Sequence, residues 1–174
     1  MTAPRHTRSH WEPISAAPAA RKQKMICLID REFIVDVPLD RAWDHLARIE
    51  AWPSWAQHIK RIELRPAGGL GPQSTGVIHL GVGLTATFQV TEFNPPQNWA
   101  WVAPFLWLKV IYDHRFEALD ADRTKLVFLV QAIGFGARVL GPVFAWIYRR
   151  DLERAIPALI REMNATRPPT LSPQ

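Results

Sequence analysis

The chain has 174 residues, 48% of them hydrophobic, and this length and composition predict one domain with a substantial core. The formal net charge of +5 would suit nucleic acid, but residues 1–24 hold five Lys or Arg and only one Glu, whereas residues 25–174 hold sixteen basic and fifteen acidic side chains. The basicity therefore belongs to an N-terminal arm, and the nearly neutral remainder argues against a nucleic-acid partner.

Residues 1–24 are rich in Pro, Ala, Ser and Arg and lack an apolar period, which predicts a disordered basic arm. Weak contact of this arm with a membrane surface, anchored by Trp11, is the alternative to a free tail. Stable membrane insertion is not expected, because the apolar run 139–148 is far shorter than the ~18 residues of a membrane span. At the other end, residues 165–174 contain three prolines and are predicted to form a tail.

The domain between these tails, residues 25–164, begins with one strand and two short helices. Residues 25–37 mix β-branched and aromatic side chains with charged ones, which predicts a strand that ends at Pro38. Residues 39–49 then change to helical spacing, and a second short helical segment is predicted over 52–58.

A period of two follows and predicts a run of antiparallel strands, for a sheet of about seven in all. The six further strands are predicted over residues 59–65, 75–80, 84–93, 99–103, 107–118 and 124–133. On the three clearest of them, the inward-facing positions are apolar except for Tyr112 and His114. Those positions are Leu84, Ala86, Phe88, Val90, Leu108, Val110, Tyr112, His114, Phe116, Leu126, Phe128, Val130 and Ala132.

The last element is a long helix predicted over residues 137–164, with Pro142 in its first turn and a kink at Pro157. An apolar stripe runs along one side of it: Leu140, Phe144, Ile147, Tyr148, Leu152, Ala155, Ile156, Leu159 and Met163. A helix of this length needs a broad apolar surface to cover. The sequence therefore predicts an α+β fold in which the helix lies across the concave face of the sheet.

Five short segments occur in an order and spacing that point to a known architecture. They are Val35-Asp36-Val37-Pro38-Leu39-Asp40-Arg41-Ala42-Trp43, Trp52-Pro53-x-Trp55, Glu92-x-x-Pro95-Pro96, His114-Arg115-Phe116-Glu117 and Arg149-Arg150-Asp151-Leu152-Glu153. Over about residues 25–164 the chain resembles the START-like, helix-grip (SRPBCC) superfamily, and within it the polyketide cyclase/dehydrase and lipid-transport group.

This resemblance implies a curved sheet that grips the C-terminal helix around an apolar cavity. Members of such families bind lipids, sterols, quinones, polyketides or plant hormones, and a minority catalyse cyclisation or dehydration. The resemblance carries over no catalytic residue, because it does not identify a subgroup.

The inward-facing residues predict an apolar ligand that is held mainly by shape. Tyr112 and His114 lie two positions apart on one strand face, so both could reach the same ligand carbonyl or hydroxyl. Phe144 and Trp146 are expected to close the pocket from the helix. The predicted ligand-binding residues are Phe88, Trp99, Trp101, Tyr112, His114, Phe128, Phe144 and Trp146.

Three functions remain open at this stage, together with the oligomeric state. The leading one is binding of a small hydrophobic ligand, such as a lipid, a quinone or a polyketide-like aromatic, in the cavity. The alternative is a polyketide cyclase or dehydratase that uses Tyr112 and His114 as proton donor and acceptor. The third is a partner-binding module whose vestigial cavity is filled by its own tryptophans.

Other chemistry finds little support in the sequence. Residues 81–86 fit GxGxxA, but a strand follows where a dinucleotide site needs a helix, so no cofactor is expected. The histidines of the predicted domain show no ligand-like spacing, and no metal site is predicted. The single Cys27 cannot form an internal disulfide, and no apolar segment typical of a secretory signal follows the basic N-terminus. Both observations predict a cytoplasmic location.

Overall fold

The structure, a computed structural model, describes residues 25–134 and 136–165. It contains seven strands, two α-helices and one 3₁₀ helix. In chain order these are β1 (Ile26–Val35), α1 (Leu39–Ala47), the 3₁₀ helix (Ile49–Ser54), β2 (Ile59–Arg65), β3 (Thr75–Leu80), β4 (Thr85–Asn94), β5 (Asn98–Phe105), β6 (Leu108–Ala118), β7 (Thr124–Ile133) and α2 (Ala137–Ala165). The predicted α+β fold with about seven strands and a long C-terminal helix is confirmed.

One antiparallel sheet contains all seven strands, in the order β1-β7-β6-β5-β4-β3-β2. Consecutive strands from β2 to β7 are neighbours, so their turns alternate between the two ends of the sheet. The β3–β4 turn, the β5–β6 turn and the β7–α2 junction share one end with the start of β1, which we call the tip end. The opposite end, with the β4–β5 and β6–β7 turns, is the base end.

The two short helices connect β1 to β2 at opposite edges of the sheet. Ala42, Trp43 and Leu46 form the buried face of α1. Arg48 leaves the helical region with φ −78° and ψ 65°, so α1 ends at Ala47 rather than at residue 49. The second short segment then occupies Ile49–Ser54 as a 3₁₀ helix, and the prediction that it spans 52–58 is wrong.

Helix α2 begins before Pro142, because the backbone N–H groups of Val139 and Leu140 bond to the carbonyl of Gly136. Pro142 therefore lies inside the helix, and its predicted place in the first turn is wrong.

The end of α2 is fixed at the base end of the sheet. Asn164 accepts a hydrogen bond from Asp36 N–H over 2.9 Å and donates one to Asp36 Oδ2 over 3.1 Å. The kink at Pro157 stays a prediction.

Small residues let the first half of α2 approach the edge strand β1 closely. Gly141 and Ala145 are buried there, and a Cβ atom on Gly141 would lie 2.8 Å from Leu28 Cδ2. Farther along the helix the buried residues are mostly larger: Leu152, Ala155, Leu159 and Met163. Among the inward positions predicted from the sequence, two are corrected by the structure. Ile147 of the helix stripe is 51% exposed, and Leu84 precedes β4 and is 63% exposed.

Within the described residues, no helix is long and apolar enough to cross a membrane. The predicted arm, residues 1–24, lies outside the described part of the chain, as does Phe135. The predicted tail, residues 165–174, starts one residue too early, because Ala165 is still the last residue of α2.

Candidate functional site

A row of rings crosses the concave face of the sheet from β4 to β7. Phe88 lies 4.9 Å from Trp101, Trp101 lies 4.9 Å from His114, and His114 lies 5.1 Å from Phe128, measured between ring centroids. All four side chains are buried. The structure thus brings together four of the predicted ligand-binding residues, because each sits at an inward position on a neighbouring strand.

His114 is buried and has four aromatic rings around it, two of them outside this row. Trp99 stacks on its imidazole at 5.1 Å with an interplanar angle of 22°, and Trp52 of the 3₁₀ helix lies 5.5 Å away. Trp52 is held over the sheet by its indole N–H, which donates to the carbonyl of Leu46 over 2.8 Å. Trp52 was not among the predicted ligand-binding residues, although the sequence Trp52-Pro53-x-Trp55 marks its position.

Burial lowers the pKa of His114 from 6.5 to about 3, and a backbone hydrogen bond with Trp99 opposes this only in part. The imidazole is therefore neutral at pH 7. Its Nδ1 atom is buried without a hydrogen-bond partner in the described structure, as is Nε1 of the stacked Trp99. These two nitrogens thus have no protein partner among the described residues, and a buried polar group left unsatisfied costs about 1–3 kcal/mol.

Four further rings form what we call the aromatic mouth, between the tip end of the sheet and α2. They are Phe105, Tyr112, Phe144 and Tyr148. Phe144 lies 5.1 Å from Phe105 and stacks on Tyr148 at 5.7 Å, and Tyr148 lies 5.6 Å from Tyr112. Tyr112 connects the aromatic mouth to the buried row, since its ring lies 6.2 Å from Trp101.

The aromatic mouth is only partly buried, and Phe105 is 37% exposed. Burial raises the pKa of Tyr112 well above its usual range, with a smaller contribution from Tyr148. Burial likewise raises the pKa of Tyr148, helped by the charge of Asp151. Both phenols are neutral at pH 7 and can donate or accept a hydrogen bond.

The geometry of α2 explains why side chains fill the space over the middle of the sheet. The helix lies nearest to β1, where its small residues pack. Over β5 and β6, Phe144 and Tyr148 extend from the helix toward Phe105 and Tyr112. Aromatic side chains rather than close backbone packing therefore separate α2 from this part of the sheet.

Trp146 does not close this region, and that prediction is wrong. It is 66% exposed and lines a groove with Ile26 and Leu28 at the edge of the sheet. Two residues along a helix correspond to a rotation of about 200°, so Trp146 and Phe144 cannot face the same way. Tyr148, four residues after Phe144, takes the inward place, and the predicted apolar stripe already contained it.

Phe105 was also missed, because the predicted strand ended at residue 103 whereas β5 continues to Phe105. Among the described residues, no group of three or more His, Cys, Asp or Glu side chains is placed to hold a metal ion.

A seven-stranded antiparallel sheet that curves around one long C-terminal helix, with an aromatic interior between them, defines a START-like, helix-grip protein. Residues 27–164 match the family described as polyketide cyclase/dehydrase and lipid transport. The chain therefore belongs to that family. None of the curated protein sequences matches this chain.

Solved structures share the fold at low sequence identity. The Zhui aromatase/cyclase from Streptomyces sp. R1128 is 20% identical, with a TM-score of 0.58 over 82% of this chain and 93% of that one. A START superfamily protein from Mycobacterium smegmatis is 17% identical, with a TM-score of 0.61 over 82% of this chain and 99% of that one. At these identities the likeness concerns the fold.

Proposed function

We propose that this protein binds a small hydrophobic ligand, such as a lipid, a quinone or a polyketide-like aromatic, between the sheet and α2. The observation that carries the proposal is the aromatic mouth, which joins the partly exposed Phe105 to the buried row of rings through Tyr112. Membership in a family of cyclases and lipid-transport proteins supports the same reading.

The chemistry of the interior suits a ligand that is mostly apolar. Affinity would come from buried apolar area, at about 25 cal/mol per Å² before the costs of association. The hydroxyls of Tyr112 and Tyr148 would orient a ligand carbonyl or hydroxyl near the aromatic mouth. Deeper in, the unpartnered Nδ1 of His114 offers one further hydrogen bond. A few placed polar groups in an apolar pocket are the usual pattern of small-molecule sites.

The alternative is a cyclase or dehydratase in which Tyr112 and His114 act as proton donor and acceptor. Efficient acid and base groups have pKa values near the working pH. Burial moves the pKa of His114 down to about 3 and that of Tyr112 well above its usual range, so neither group titrates near neutrality. This separation favours binding over proton transfer.

The test is a titration followed by tryptophan fluorescence, with a long-chain fatty acid, a short-chain ubiquinone and a tricyclic anthraquinone as probes. At least one probe should change the tryptophan fluorescence, to which Trp101 of the buried row contributes, and Phe144→Ala should change the affinity of that probe several-fold. Val139→Ala is the matched control, because Val139 is 74% exposed on the same helix and away from the aromatic mouth.

His114→Phe separates the functions. For a binding protein it should weaken probe binding only modestly, whereas loss of an acid or base would slow a cyclisation by about 100-fold or more. If no probe binds and the rings stay packed against one another, the protein is a partner-binding module with a vestigial cavity.

We further propose that residues 25–164 act as a single ligand-binding domain between the arm 1–24 and a short C-terminal tail. The single Cys27 and the charge distribution support work in the reducing cytoplasm without a nucleic-acid partner.

A further inference from the structure

Exposed apolar side chains gather at one end of the molecule. Of the twelve large hydrophobic residues that are exposed in the described structure, ten lie at the tip end or on the first three turns of α2. Only Ile34 and Leu119 lie toward the base end. Patches of this kind on a folded domain usually mark a contact surface.

Three structural elements supply this patch. Val82 and Leu84 come from the β3–β4 turn, and Leu106 and Trp107 from the β5–β6 turn. Trp146 stands on the outward side of α2. Val82 is 79% exposed, and Trp107 and Trp146 are 60% and 66% exposed, so these side chains gain little from the domain's own core.

Basic side chains outnumber acidic ones toward the tip end; the groove of Trp146, for example, is lined by Arg138, Arg149, Arg150 and Glu153. The segments 77–91, 101–112 and 131–150, which build this end, contain no Asp or Glu. They carry four basic residues: Lys109, Arg138, Arg149 and Arg150. The chain also enters the domain at this end, at Met25, directly after an arm with five Lys or Arg and one Glu.

We propose that the tip end docks on the surface of a membrane that contains anionic lipids. Apolar tips with tryptophan among them partition into the headgroup region, while basic residues nearby are attracted to an anionic surface. A second copy of this chain fits the surface less well, because two sets of basic residues from the tip end would face each other.

This inference goes beyond ligand binding and does not depend on it. It also predicts which way the aromatic mouth faces in the docked molecule, because Phe105 adjoins Leu106 and Trp107 in the β5–β6 turn. A docked molecule would therefore present its aromatic mouth to the lipid surface.

The experiment is co-sedimentation of the full chain with vesicles of phosphatidylcholine and phosphatidylglycerol, compared with phosphatidylcholine alone. The mixed vesicles should bind the protein, and salt should weaken the binding. The double variant Leu106→Asn/Trp107→Ser should reduce binding by at least about tenfold, because it removes two apolar side chains from the contact. Asn suits the left-handed backbone of Leu106, which has φ 55°, so the fold should be kept.

The matched control is Ile34→Ser/Leu119→Ser, which removes two exposed apolar side chains toward the base end and should leave vesicle binding unchanged. Replacing the five Lys and Arg of residues 1–24 by Gln in the full chain should lower the preference for anionic vesicles by about tenfold or more.

Three outcomes would overturn the proposal. One is absence of binding to the mixed vesicles. Another is equal loss of binding in the control. The last is a dimer in light scattering that the Leu106→Asn/Trp107→Ser variant converts to a monomer, which would make this surface an interface between copies. Probe binding in vesicle-free buffer should be unchanged in that variant, which distinguishes failure of docking from failure of the ligand site.

Discussion

Replacement of His114 tests the electrostatics of the interior most sharply. The unfolded chain takes up a proton on this side chain as the pH falls through about 6.5, whereas the folded chain resists protonation down to about 3. The folded state therefore binds fewer protons in this window, and stability present above pH 6.5 is lost as the pH falls. The rings packed around the imidazole, Trp52, Trp99, Trp101 and Phe128, cannot ionise to offset the effect.

The size of the effect follows from the pKa shift. One pH unit inside the window corresponds to about 1.4 kcal/mol, so at pH 5 the neutral, buried His114 costs on the order of 2 kcal/mol of stability relative to pH 7.5. The His114→Phe variant has no titrating group at this position. Between pH 7.5 and pH 5, its free energy of unfolding should therefore fall by about 2 kcal/mol less than that of the wild type. Urea unfolding at pH 7.5 and pH 5 measures the difference.

A control separates titration from packing. Phe128→Leu removes a ring in contact with His114, so it should lower stability at both pH values while keeping the wild-type pH dependence. His45 and His58 also have pKa values lowered by burial, but they are present in every variant and cancel in the comparison. An unchanged pH dependence in both His114→Phe and the smaller His114→Leu would refute the buried, neutral imidazole.

Two further predictions concern the frame around the site. Gly76→Ala should destabilise the protein by about 3 kcal/mol in urea unfolding, since a Cβ there would collide with the Glu63 carbonyl and the ring of Phe88, whereas Gly71→Ala, with only Ser74 Oγ at 3.8 Å, should change it little. Asn164→Ala should cost about 1 kcal/mol by removing both hydrogen bonds to Asp36, and hydrogen exchange should show the last turn of α2 opening more readily.

Strand periodicity predicted much of the fold because one face of the sheet is buried. Phe88, Phe116 and Val130 occupy the inward positions that alternation assigned to them, and all three are buried. The boundaries were harder to predict where backbone geometry decides them. Arg48 ends α1 by its dihedral angles, and the turn through Gly134 and Gly136 starts α2 before Pro142.

The sequence predicted which residues of each strand line the candidate site, but not which face of α2 covers them. Strand alternation predicted that Phe88, Trp101 and His114 face inward, and the sheet register makes them diagonal neighbours whose rings are in contact. On α2 the choice of face depends on how the helix rotates against β1, which the sequence pattern does not specify. Small residues such as Gly141 pack on Leu28 and so set the rotation of the helix. In this rotation Trp146 faces outward.

The central claim, a hydrophobic ligand between the sheet and α2, is tested most directly by mapping where a bound probe lies. Aromatic side-chain resonances can be followed by NMR during titration with the tricyclic anthraquinone, in buffer without vesicles. We predict shifts at Tyr112, Phe144 and Tyr148, and none at Trp146, which stands on the opposite side of the same helix. Shifts at Trp146 alone, with the three rings of the aromatic mouth unchanged, would contradict the account.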